Sequence, residues 1–183
     1  GRLLQATLDL LEGADIQFRR EKRLDIALVK NLPIALIFLP SVDIPIFVGK
    51  GRVNLGITGR DTVAEYESKV ERLKSNWTQS GNAKSELPKN HSGCQEILDL
   101  GFGVCKLQVQ VPKNGVYFHP SSLVGKNIGT SFVNLTKDYF TRLETAIDGD
   151  KFNGTLKTNV IKLSGSVETA CGLGVADGIV DLV

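Results

Sequence analysis

The residues best suited to chemistry stand near the end of this chain. Glu168 and Asp177 flank a Gly-rich stretch and are followed by the apolar run Ile179-Val180-Asp181-Leu182-Val183. Gly165-Ser166 reads as a tight turn opening a short helix that ends at Gly172 and Gly174. Glu168 falls in its first turn, where the positive end of a helix favours a carboxylate. The run 179–183 reads as a buried parallel strand, and α/β folds bind ligands beyond the carboxyl ends of such strands. Thr58-Gly59 and Thr130-Ser131 each lie between a strand and a helix. Turns of that kind offer backbone N–H groups and hydroxyls to an anion or a nucleotide. Ordinary helix capping accounts for the same residues, just as a helix-start charge and a solvated strand-edge carboxylate account for Glu168 and Asp177. Arg2 carries a planar fork that can pair with a phosphate.

The elements that must position these residues alternate along the chain. Leu3, Leu4, Leu8, Leu10 and Leu11 form a helical stripe that ends near Gly13. Ile34-Ala35-Leu36-Ile37-Phe38-Leu39 reads as a buried strand stopped by Pro40, and Asp43-Ile44-Pro45 opens a short helix. Val53 to Ile57 reads as a strand feeding a helix that starts at Thr58-Gly59-Arg60-Asp61. Strands alternating with helices imply a parallel sheet. From Glu67 the composition turns polar, and Ser75 to Gly93 reads as a long surface loop. A second unit begins near Gly103: a strand over 106–111, another leading to Thr130, a helix with Leu135, Tyr139 and Leu143, and a strand over 159–163.

Composition narrows the function classes. The net charge is +2 with scattered cations, which gives no electrostatic case for nucleic acid or an acidic membrane. No apolar run reaches the roughly 18–20 residues of a membrane span. Cys94, Cys105 and Cys171 have no short paired spacing, so reduced thiols fit better than a disulfide or a metal site. Asn-x-Ser/Thr triplets at Asn76, Asn90, Asn134 and Asn153 have no signal peptide beside them to support glycosylation. His91 and His119 read as loop residues, and Arg60 and Lys106 as solvated charges. The Gly-x-Gly pairs at 49/51, 101/103 and 172/174 complete no dinucleotide fingerprint.

The terminal segment resembles the signature of the ATP phosphoribosyltransferase family, with Glu168, Gly174, Ala176, Ile179, Asp181 and Leu182 in the family's places. Gly1-Arg2-Leu3, Asp43-Ile44-Pro45, Leu55-Gly56-Ile57-Thr58-Gly59 and Gly125-Lys126-x-Ile128-x-Thr130-Ser131 resemble its other landmarks in the same order. Leu24 to Leu28 and Cys105 to Pro112 are similar to the fungal branch, while Asn54 stands where an Asp is frequent. Against the family pattern the chain looks truncated at both ends. It opens after the first strand, stops before a Ser/Thr-Gly-x-Thr phosphate loop, and has no Met.

The resemblance implies an α/β fold of two lobes like type II periplasmic binding proteins, each a mostly parallel sheet flanked by helices. The first would span 1–102, with its first strand missing and a polar insertion at about 75–93. The second would span 103–183, ending before the phosphate loop and the return crossover. The implied reaction joins ATP to phosphoribosyl pyrophosphate through N1 of adenine and releases pyrophosphate, with Mg²⁺, as the first step of histidine biosynthesis. Family members commonly form homo-oligomers, and a cytoplasmic location is expected, with neither nucleic acid nor membrane as partner. Carried over by residue, Glu168 and Asp177 form the catalytic pair, facing one crevice and holding ribose hydroxyls or metal-bound water. Arg2, Thr58, Gly59, Thr130, Ser131, Gly165, Ser166 and Asp181 bind substrate, with capping or bracing the phosphate loop as the other reading of Asp181; no residue is assigned directly to the metal. Without that loop, this stretch is expected to have little transferase activity alone. The alternatives are a non-catalytic two-lobed module for a small ligand, or an inactive truncated product.

Overall fold

The computed structural model describes residues 3–21, 24–79 and 93–183, which fall into two compact units. The first holds Gly1–Val70 and Lys74–Val104, and the second Glu71–Leu73 and Cys105–Val183.

In the first unit, the leucine stripe forms helix α1 (Leu4–Gly13). Strands β1 (Ile26–Leu28) and β2 (Ala35–Ile37) pair antiparallel, with Ala27 opposite Leu36. Pro45 sits in the first turn of α2 (Ile44–Gly49), where its missing N–H costs no intrahelical bond. Helix α3 runs over Arg60–Gln79. Three expectations need correcting here. The ladder of the first unit is antiparallel, so the mostly parallel sheet is a property of the second unit. The segment 53–57 forms no ladder among the described residues; an isolated extended run has no partner for its backbone, and Gly56 instead packs on Ile44 and Val48. The polar stretch from Ser75 begins as helix rather than loop, because nothing from 75 to 79 is Gly or Pro and α3 continues to Gln79. The rest of that stretch, 80–92, lies outside the described residues.

The second unit is built on one four-stranded sheet in the order β3-β6-β4-β5. Its strands are β3 (Leu107–Gln110), β4 (Asn127–Thr130), β5 (Asn159–Lys162) and β6 (Gly178–Leu182). Strand β4 runs parallel to both β5 and β6, while β3 closes the sheet antiparallel to β6. Helix α4 (Val133–Asp148) follows β4 directly. Because strand side chains alternate, Ile128 and Val180 face α4 and join Phe140 and Leu123 in one core. Gly129 and Ile179 face the other way, against the crossover, where Val167, Ala170 and Ala176 form a second core. Gly129 must be small: a Cβ there would stand 2.9 Å from Leu163 Cδ1 and 3.4 Å from the methyls of Ala170 and Ala176. With both faces covered, a strand needs apolar residues at successive positions, which is why 178–180 are all buried.

Buried polar groups hold this frame in register. Glu144 has no exposure, and its carboxylate accepts from Lys157 N (2.8 Å), Thr158 N (2.9 Å) and Thr158 Oγ1 (2.6 Å). Thr158 Oγ1 in turn accepts from Gly125 N (3.2 Å), so one carboxylate links α4 to the starts of β4 and β5.

Candidate functional site

The registers place three chain segments at one edge of the second unit. Thr130 pairs with Lys162 on one side and Val180 on the other, so β4 and β5 end together and β6 runs two residues further at the same edge. Beyond them emerge Ser131, the loop 163–166 with its one-turn 3₁₀ helix (Val167–Thr169), and the end of β6 with Asp181. Ligands of open α/β sheets bind at this carboxyl edge.

At this edge the side chains are of two kinds. The Thr130 hydroxyl is fully buried and donates to the Val180 carbonyl at 2.7 Å, while accepting from Phe132 N–H at 2.9 Å. Its neighbour Ser131 is exposed. Thr130 therefore has no hydroxyl left for a ligand, and of the two residues only Ser131 faces solvent. Ser166 adopts a left-handed conformation (φ 50°, ψ 38°), uncommon for a residue with a Cβ, and its carbonyl accepts from both N–H and Oγ1 of Thr169. That turn leaves Gly165, Ser166 and Glu168 exposed. A Cβ at Gly165 would touch nothing within 4 Å, so open space surrounds it. Asp181 is half-buried on the crossover face, where its Oδ1 accepts from Leu182 N–H at 2.9 Å.

Asp177 lies elsewhere. It precedes β6 and bonds to the first residue of β4, at the amino edge of the sheet. Its Oδ2 accepts from Asn127 N–H and its Oδ1 from the Tyr117 hydroxyl, both at 2.9 Å. The Asn127 amide, then the Tyr117 hydroxyl, holds this carboxyl below the usual carboxylate range, and the same bond raises the Tyr117 phenol. The expectation that Glu168 and Asp177 face one crevice is thereby corrected. Glu168 follows β5 at the carboxyl edge, whereas both oxygens of Asp177 are engaged where the strands begin. Asp177 is a brace between β6, β4 and the segment bearing Tyr117.

In the first unit the turn before α3 is also internally partnered. Thr58 Oγ1 donates to the Ser41 carbonyl at 3.2 Å. The Asp61 carboxylate lies over Gly59, where a Cβ would stand 2.0 Å from Asp61 Oδ1. An anion at this helix start would meet a carboxylate already in place. Arg60, expected as a solvated charge, forms a two-pronged pair with Glu96 (2.8 Å from Nε) and approaches Asp99 at 3.5 Å. A cleft of about 620 Å³ opens elsewhere in this unit, lined by Asp9, Glu12, Asp15, Phe18, Arg20 and Phe38; it contains none of the expected site residues. Arg2 and His91 lie outside the described residues.

Sequence reasoning missed Glu144, Thr158 and Tyr117. Glu144 carried a signal: Thr136, Phe140 and Glu144 recur every fourth residue on the buried stripe of α4, and a carboxylate there must find donors. No such spacing announces the bond from Tyr117 across 60 residues to Asp177.

Three comparisons with known proteins bear on these observations. The family model described as ATP phosphoribosyltransferase (HisG) matches residues 40–183. The ATP phosphoribosyltransferase of Yarrowia lipolytica is 51% identical over 183 residues, with all of this chain and 52% of the relative covered. That of Schizosaccharomyces pombe is 47% identical over 185 residues, covering 54% of the relative. The chain thus spans about half the length of the curated relatives it matches. Among solved structures, a chain of the ATP phosphoribosyl transferase (HisG:HisZ) complex from Thermotoga maritima aligns with a TM-score of 0.66 at 22% identity, covering all of this chain and 70% of that one.

Proposed function

This chain belongs to the ATP phosphoribosyltransferase family, and we propose that the whole protein joins ATP to phosphoribosyl pyrophosphate, giving N1-(5-phosphoribosyl)-ATP and pyrophosphate. The observation that carries the reading is the family match over residues 40–183. In support of it, the candidate residues Ser131, Gly165, Ser166, Glu168 and Asp181 lie within that stretch, after the parallel strands or at their carboxyl ends. The reaction displaces pyrophosphate from a ribose carbon by a weak aromatic nitrogen. Positive charge builds on the ribose and negative charge on the leaving group, so catalysis rests on placement and electrostatics.

In this reading Glu168 stands free to hold ribose hydroxyls. Ser131, Gly165 and Ser166 supply N–H and hydroxyl donors to phosphate oxygens, and Asp181 stiffens the end of β6. Asp177 acts only through the frame. Among the described residues no group of three or more His, Cys, Asp or Glu side chains could cage a metal ion. Mg²⁺ would then arrive on the substrate's phosphates, with Glu168 as the carboxylate that would hold its water shell. When bound, the ion neutralises charge on the departing pyrophosphate. The donors at this edge suit a phosphorylated sugar better than an uncharged solute, which favours the enzyme over a binding module. Among the described residues no helix is long and apolar enough to cross a membrane. A place in the cytoplasm is proposed from the biosynthetic reaction of the family. Assembly as a homo-oligomer is part of the same proposal.

The test is a pyrophosphate-release assay on the whole protein. Release should require ATP, phosphoribosyl pyrophosphate and Mg²⁺ together. Release without ATP, or none with all three, would overturn the reading.

A further inference from the structure

The turn after β4 holds two adjacent hydroxyl residues with opposite environments. Thr130 Oγ1 has no exposure, donates to the Val180 carbonyl at 2.7 Å, and accepts from Phe132 N–H at 2.9 Å. Thr136 Oγ1, one turn into α4 and also buried, lies 3.4 Å away and donates to it as well. One hydroxyl therefore joins β6, β4 and the start of α4. Phe132 N–H is thereby turned inward, and Ser131 is left on the outside of the bend.

We infer that Thr130 is a positioning residue: its buried hydroxyl sets the 130–132 bend so that Ser131, beside the first turn of α4, is presented to a phosphate of the substrate. This rests on the reading of the carboxyl edge as the substrate edge. A hydroxyl is needed because the position must donate and accept at once; Val would match the shape and do neither. A Ser would keep both bonds and lose only a methyl.

The experiment compares the whole protein with its Thr130→Val, Thr130→Ser and Ser131→Ala variants in steady-state kinetics against ATP and phosphoribosyl pyrophosphate separately. Thr130→Val should raise KM for one phosphorylated substrate about tenfold, the cost of a misplaced hydrogen-bonding group, while the other KM stays within about twofold. Thr130→Ser should restore that KM, and Ser131→Ala should raise the same KM as Thr130→Val. Equal changes in both KM values, a Ser variant as impaired as the Val variant, or an unaffected Ser131→Ala variant would each overturn the inference. If Thr130→Val does not fold, amide shifts in the wild-type protein decide. Phosphoribosyl pyrophosphate or ATP should move Ser131 and leave the buried Phe132 N–H protected from exchange; an unmoved Ser131 with both ligands refutes the proposal. A wild-type protein inactive with both substrates would instead sink the functional reading on which the inference stands.

Discussion

The two units differ in how far they are packed, and the proposed site lies in the more fully packed one. In the second unit every parallel strand has a neighbour and both sheet faces are covered, so Ile128, Phe140, Leu123 and Val180 are almost entirely buried. The first unit's sheet is a pair of three-residue strands. Ile26 and Leu28 on its outer face are 56% and 72% exposed, while Ala27 between them is 3% exposed. Apolar residues alternating between burial and exposure mark a sheet packed on one face only. Polar ties follow the same division. Glu144 is a buried three-donor carboxylate, whereas the pair Arg60–Glu96 is largely exposed. The second unit thus supplies the better-buried frame for the edge at which substrate is proposed to bind.

The contrast can be broken by truncation. Phe140→Ala should cost about 3–5 kcal/mol, since the ring is fully buried against Leu123, Ile128 and Val180. Leu28→Ala should cost under about 0.5 kcal/mol. Guanidinium unfolding followed by circular dichroism checks both, and equal losses would erase the distinction between the units. Next in size is Glu144→Ala, which leaves the N–H groups of Lys157 and Thr158 without their acceptor. A loss of about 2–4 kcal/mol is expected, with faster amide exchange at Gly125 and Thr158. An unchanged denaturation midpoint would show that the buried carboxylate is dispensable.

Asp177 makes the most specific prediction. Its folded pKa is depressed, so its contribution is present above the unfolded value near 4 and is lost as pH falls through the folded value. Asp177→Asn should lower stability by about 1 kcal/mol at neutral pH and flatten the fall in stability below about pH 4. Parallel acid limbs for the two proteins would mean that this brace does not form in solution. Activity should fall no further than stability does, because Asp177 stands at the amino edge.

Legibility followed the range of the interaction. Helix α4, strands β3, β5 and β6, and the turn before Glu168 were readable because apolar period and glycine placement are local signals. The pairing of Glu168 with Asp177 was misread for the same reason. Nine residues apart in sequence, they are separated by a crossover that carries the chain from one end of the sheet to the other. Thr130 and Ser131 look interchangeable as letters. Only the β4–β6 pairing, 50 residues apart, gives one hydroxyl an interior partner and leaves the other outside. Among the described residues the strand expected over 53–57 does not form, because a strand exists only with a neighbour to bond to, which no local pattern specifies.

The central claim is that substrate meets the carboxyl edge of the second unit. Backbone amide shifts recorded while phosphoribosyl pyrophosphate and Mg²⁺ are added to the whole protein test it most directly. Shifts should concentrate at Ser131, Gly165, Ser166 and Glu168, and leave Tyr117, Asn127 and Asp177 still. Movement confined to those last three, at the opposite edge, would contradict it.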